Sequence, residues 1–138
     1  MNVKQFSISA LAGGVSLFLL GYLIYVVAMP GYYESNAGSA TGVMKEDPST
    51  MPIIFLGQLC LASLITLIYL KWAGIKTFGT GLKSGLLIGI LLTLSTNLVM
   101  FSTTNIMNFQ AAIVDSIVWT IAIGITGGVI GLLLGRIK

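Results

Sequence analysis

The chain contains no histidine and a single cysteine, Cys60. The first absence removes the commonest metal ligand and the commonest general base at neutral pH. The second excludes an intrachain disulfide and a paired-cysteine redox centre. Charge is almost as scarce. Only 8% of the 138 residues are charged, against about 25% in an ordinary soluble domain. The acids are Glu34, Glu46, Asp47 and Asp115. A zinc site, a carboxylate-rich metal cage or a Ser-His-Asp triad cannot be assembled from this inventory. The reading is therefore of a protein that is not an enzyme, with no catalytic residues, no metal and no cofactor. The seven bases form no stripe interleaved with aromatics, so nucleic acid is not an expected partner.

What remains is apolar. Hydrophobic residues make up 56% of the chain and the mean hydropathy is +0.99. So little polar surface cannot coat a water-soluble globule of this length, and the expected solvent is lipid. A bilayer core of about 30 Å takes about 20 apolar residues per helix. Four apolar runs come close to that length, at residues 6–29, 52–70, 84–101 and 109–135, and only the last holds a charged residue. Pro30-Gly31 ends the first, and Pro52 opens the second near its first turn, where proline is tolerated. The expected fold is a single all-α domain over residues 1–138, an integral membrane four-helix bundle. The first run is too long for a secretory leader and lacks a good cleavage site, so it reads as a retained span.

The few charges are sorted by side. Lys4, Lys71, Lys76, Lys83, Arg136 and Lys138 share one side with no acid. The other side has Lys45 against Glu34, Glu46 and Asp47, and a chargeless turn at 102–108. The positive-inside rule then places the N-terminus, the C-terminus and the 71–83 connection in the cytoplasm. Residues 30–50 become an outer loop, rich in Gly, Ser and Pro, that reads as a polar connector. A short interfacial turn on Tyr32, Tyr33 and Met44 is equally compatible with it. Tyr25, Tyr32, Tyr33, Tyr69, Trp72, Phe101 and Phe109 fall near run ends and read as interface anchors.

Packing in lipid relies on small residues that let backbones approach. Gly81, Gly85 and Gly89 share one face of the third run. Gly124, Gly128, Gly131 and Gly135, with Gly127 adjacent, share one face of the fourth. Close antiparallel contact of the third and fourth helices is the expectation.

Asp115 is the only ionisable acid or base well inside a run. A carboxylate at mid-bilayer costs about 2.5–3.5 kcal/mol on insertion scales, so it should face protein or a hydrated pocket. It lies about 9 Å below the start of its run at 1.5 Å per residue. At similar depth the other runs carry Asn97, Gln58 and Tyr22, and Thr93, Thr96, Ser116, Trp119 and Thr120 extend the layer. Two readings stand. In one, Asp115 and its neighbours are interhelical glue. In the other, Asp115, Asn97, Gln58, Tyr22, Thr93 and Trp119 form an outward-facing site for a cation, a proton or a small polar solute. Asn108 is expected to cap the fourth helix.

Several short motifs together resemble small four-helix bacterial inner-membrane proteins classed as domains of unknown function. They are Gly14 with Leu20-Gly21-Tyr22 and Tyr25 before a tyrosine-containing loop, the flanks Lys71-Trp72-Ala73 and Lys83-Ser84-Gly85, Thr104-Asn105, and Val114-Asp115 with Trp119. The resemblance implies a multi-pass protein of the bacterial inner membrane and brings no activity with it. Small multidrug carriers place an acid in their first span, and this first span has none. The expected role is assembly or accessory, with the lipid bilayer and either further copies of the chain or a larger membrane complex as partners. The alternative is a small carrier or channel that works through Asp115.

Overall fold

The computed structural model describes residues 2–45 and 47–137. Glu46 and Lys138, two of the charges used to orient the chain, lie outside the described residues. Among the described residues the fold is all-helical. Helix α1 is Val3–Tyr22, prolonged by a wider π-type segment at Leu23–Ala28. The short α2 is Pro30–Ser35. Helix α3 is Met51–Ile68, entered by a tight turn at Pro48–Thr50 and prolonged by a π-type segment at Tyr69–Ala73. Helices α4 and α5 are Phe78–Thr103 and Phe109–Arg136. With their extensions, α1, α3, α4 and α5 are long and apolar enough to cross a membrane.

Helices α1 and α4 begin before their apolar runs because side-chain caps set their starts, not hydropathy. The Thr77 side chain accepts the Thr80 N–H at 3.2 Å and starts α4 six residues before the apolar run. Lys83 then sits exposed on the helix, not in a connection. Asn2 caps α1 through the Gln5 N–H, and Asn108 caps α5 through the Ala111 N–H at 2.8 Å. The stops are equally local. Gly74, at φ +60°, ends the π-type segment after α3 in the left-handed conformation that suits glycine. Pro30 has no N–H to give and pushes Met29 out of helical geometry, to φ −128° and ψ 21°.

The helices lie in the spatial order α4, α5, α1, α3, with α5 the most deeply packed. Leu17, Ala62, Ile65, Tyr69, Ile123 and Ile130 form the centre of the core. Helix α1 is fixed to α5 by the Ser16–Thr126 hydroxyl pair at 3.0 Å. Near the termini, the Gln5 side-chain amide donates to the carbonyls of Leu134 and Ile137, satisfying acceptors that a helix end leaves free.

Helices α4 and α5 touch backbone to backbone. A methyl group on Gly85 would lie 2.8 Å from the Ile123 carbonyl oxygen and 3.0 Å from the Gly124 Cα. Gly89 faces the Thr120 backbone, and Gly81 meets Gly127. On α5, Gly124 meets Leu82 and Leu86 of α4. Gly128 receives the Phe78 ring, while Gly131 and Gly135 receive the Ile75–Thr77 connection. Gly127 stands at the closest approach, where the Tyr69 hydroxyl also crosses to donate to the Gly81 carbonyl at 2.6 Å. Spacing along one helix finds a small-residue face, and α4 fills most of it, with the connection before α4 covering its inner end.

The outside of this bundle is apolar. Leu87, Leu91, Val99, Ile117 and Ile121 all stand exposed, with Leu91 at 65%.

Candidate functional site

Asp115 lies less than two turns into α5 and is 9% exposed. Three donors from three elements converge on its carboxyl group. The Tyr25 hydroxyl, in the π-type segment after α1, donates to Oδ1 at 2.6 Å. The Tyr33 hydroxyl, on α2, donates to the same oxygen at 2.7 Å. The Asn97 amide, on α4, donates to Oδ2 at 2.7 Å and also reaches the Ser116 hydroxyl at 3.0 Å. A buried carboxyl oxygen without partners would cost several kcal/mol, and this one has both oxygens engaged. All three partners are neutral side chains. Burial first, and then the hydrogen bond to Asp115, push the Tyr33 phenol above its ordinary range, so Tyr33 stays a donor through neutral and mildly alkaline pH.

The backbone around Pro30 makes this convergence. The wider turn at Leu23–Ala28 shifts the phase of the helix and brings Tyr25 onto α5. Pro30 then starts α2 at its first position, which returns Tyr33 over the same carboxyl group. The two tyrosine rings lie 5.1 Å apart, centroid to centroid. Residues 36–40 run beside 105–108 as a strap. The Asn108 N–H donates to the Asn36 carbonyl, and the Asn108 side-chain amide to the Asn36 side chain at 2.9 Å. The N–H groups of Gly38 and Ala40 donate to the carbonyls of Ile106 and Asn105. So the 30–50 connection is not a plain polar linker. Its first ten residues fold back onto the α4–α5 turn, while Met44, at 81% exposure, takes no part.

Gly38 allows that approach, because a Cβ there would run into the Asn105 carbonyl. Gly38→Val should therefore lift the strap and release Tyr33. Limited trypsin cleavage at the exposed Lys45 should speed up roughly tenfold, as expected for loss of a local opening free energy of about 1.4 kcal/mol. An unchanged cleavage rate would contradict the strap's role.

The residues expected at this site divide into four groups. Asn97 touches the carboxyl group directly. Thr93 lies one turn deeper, with its hydroxyl 3.0 Å from the Ser116 carbonyl and 3.1 Å from the Thr120 hydroxyl, and it ties α4 to α5 without reaching Asp115. Trp119 contributes a ring, tilted 52° against Tyr25 with centroids 5.9 Å apart. Tyr22 and Gln58 make no hydrogen bond to Asp115. Tyr22 is 50% exposed, and both line a cavity between α1 and α3. Depth along a helix is one coordinate, and the direction a side chain faces is the other. Of the polar residues expected around Asp115, only part faces it.

Tyr25 and Tyr33 were not foreseen as members of this site. The local signal for Tyr33 is Pro30 followed by an aromatic one turn into a short helix. Tyr25 carries no comparable signal, since it depends on the wider turn. Chemically the cluster holds a carboxyl group among neutral donors. Among the described residues no three of Asp, Glu and Cys gather into a metal-binding group. No protein-family model, curated protein or solved structure matches the chain.

Proposed function

We propose that the chain is a multi-pass membrane protein of non-enzymatic, assembly or accessory type, with Asp115 as the clasp that closes one end of its bundle. The observation that carries this reading is the convergence of Tyr25, Tyr33 and Asn97 on one carboxyl group. A group whose oxygens are both engaged by protein donors is suited to fixing helix register. The apolar exterior supports lipid as the solvent, since a water-soluble monomer rarely exposes so large a continuous apolar surface. The charge asymmetry supports an orientation with both termini and the 71–83 connection in the cytoplasm, and the clasp on the opposite face. The inner membrane of a bacterium is the setting that the motif resemblance suggests.

A second reading rests on the strap. Tyr33 reaches Asp115 from a short helix outside the four long ones, so its withdrawal would leave Oδ1 to Tyr25 and free one of its acceptor positions. The chain would then be a small carrier or channel for a proton, a cation or a small polar solute.

One set of measurements separates these readings. Under the first, proteoliposomes holding the wild-type chain show no flux above empty vesicles, Asp115→Asn leaves the phenotype of producing cells intact, and crosslinking in native membranes captures a partner or a second copy. Proton or cation flux that Asp115→Asn abolishes would establish the second. A phosphatase fusion at Lys76 is expected to be inactive, and an active fusion would overturn the orientation.

A further inference from the structure

The cavity between α1 and α3 has about 340 Å³ of space, within the roughly 300–1,000 Å³ of small-molecule sites. Its lining holds no charged residue. Four of its walls are aromatic: Phe18, Tyr22, Tyr25 and Trp119. Gly21 lets the Trp119 ring close against α1, since a methyl there would lie 3.2 Å from that ring. Among this apolar lining stands the partly buried Gln58 amide, and no described residue is within hydrogen-bonding range of it. The lining includes Val26 and Ile54, which are 54% and 48% exposed on the apolar exterior.

We propose that this cavity binds a neutral amphiphile with a flat, hydrogen-bonding ring, entering from the lipid between α1 and α3. Each part of the class follows from the lining. Without a charge to offer, the walls favour a neutral guest, because a charged one would lose its hydration uncompensated. Aromatic faces give a flat ring more contact than they give a flexible chain. The Gln58 amide can both donate to and accept from a ring carbonyl or hydroxyl, and a saturated lipid chain would leave it unpaired. The exposed Val26 and Ile54 would let an apolar tail remain in the hydrocarbon. Of the three residues that donate to Asp115, only Tyr25 also lines the cavity, so this proposal does not rest on the clasp.

The test uses the full chain in lipid nanodiscs. There are two tryptophans, so Trp72→Phe leaves Trp119 as a reporter on the cavity wall. Decylubiquinone serves as the flat-ring probe, and phosphatidylcholine with brominated chains as the lipid-chain probe. The expected result is saturable quenching of Trp119 by decylubiquinone. Ile54→Phe, which fills the cavity, should abolish saturation. Gln58→Leu should weaken it about fivefold, the scale of one neutral hydrogen bond. Leu91→Phe, on the exposed face of α4, should leave it unchanged. Quenching that rises linearly with probe and is the same in all variants would mean simple partitioning and would overturn the proposal. So would equal quenching by the brominated chains that Ile54→Phe removes and Gln58→Leu does not, which would make the cavity a lipid-chain groove.

Discussion

Gly85→Ile should separate α4 from α5 and leave little folded protein. The nearest atoms to a side chain at Gly85 are the Ile123 carbonyl oxygen and the Gly124 Cα, at 2.8 and 3.0 Å. Both are backbone, so no rotamer change can make room. Overpacking a core commonly costs about 1–3 kcal/mol, and with backbone on both sides the loss should reach the top of that range. The contact also runs through Gly81 and Gly89, so pushing the helices apart at Gly85 loosens the whole face. Unfolding by sodium dodecyl sulfate in mixed micelles, followed by tryptophan fluorescence, measures the effect. Gly79→Ala is the matched control, because nothing lies within 4 Å of a methyl group there. That change should be neutral or stabilise by up to about 1 kcal/mol through helix propensity. Equal behaviour of the two variants would contradict the packing described.

Asp115→Leu should produce the second large loss. It keeps a side chain of similar volume and strands three donors, the hydroxyls of Tyr25 and Tyr33 and the Asn97 amide. Hydrogen bonds between membrane helices average about 0.6 kcal/mol each, since the unfolded reference also finds partners. Donors left buried without any acceptor cost about 1–3 kcal/mol each. Asn97 keeps the Ser116 hydroxyl as a partner, so the two tyrosines dominate. The expected loss is about 2–5 kcal/mol in the same unfolding measurement, built from those per-group costs. Asp115→Asn should recover much of it. Its amide oxygen can still accept from both tyrosines, and only the bond from Asn97 has no acceptor left. The strap should follow the clasp, with trypsin reaching Lys45 faster in Asp115→Leu than in Asp115→Asn.

Much of this arrangement was legible in the sequence, residue by residue. Four apolar runs gave four long helices, because nothing else in the composition can bury so much apolar surface. The runs misplaced the start of α4, since Thr77 supplies a cap that hydropathy does not register and Lys83 tolerates an exposed position on the helix. Gly81, Gly85 and Gly89, four residues apart, correctly marked the α4 face that meets α5. On α5, Gly124 and Gly128 of the stripe meet α4 side chains, and the adjacent Gly127 makes the closest backbone approach, opposite Gly81. Asp115 and Asn97 stood out as polar residues in apolar runs, and they do meet. The two tyrosines could not be read the same way. Tyr25 depends on a π-type turn that periodicity does not register, and Tyr33 arrives from a segment that reads equally as a polar connector or an interfacial turn.

The most direct test of the clasp is a double-mutant cycle between Asp115→Ala and Tyr33→Phe, read as unfolding free energies. The two side chains share a hydrogen bond of 2.7 Å and come from different elements. If that bond closes the bundle, the double variant should lose about 0.5–2 kcal/mol less than the sum of the single losses. Losses that add to within about 0.3–0.5 kcal/mol would mean that Tyr33 and Asp115 act independently, and would contradict the account.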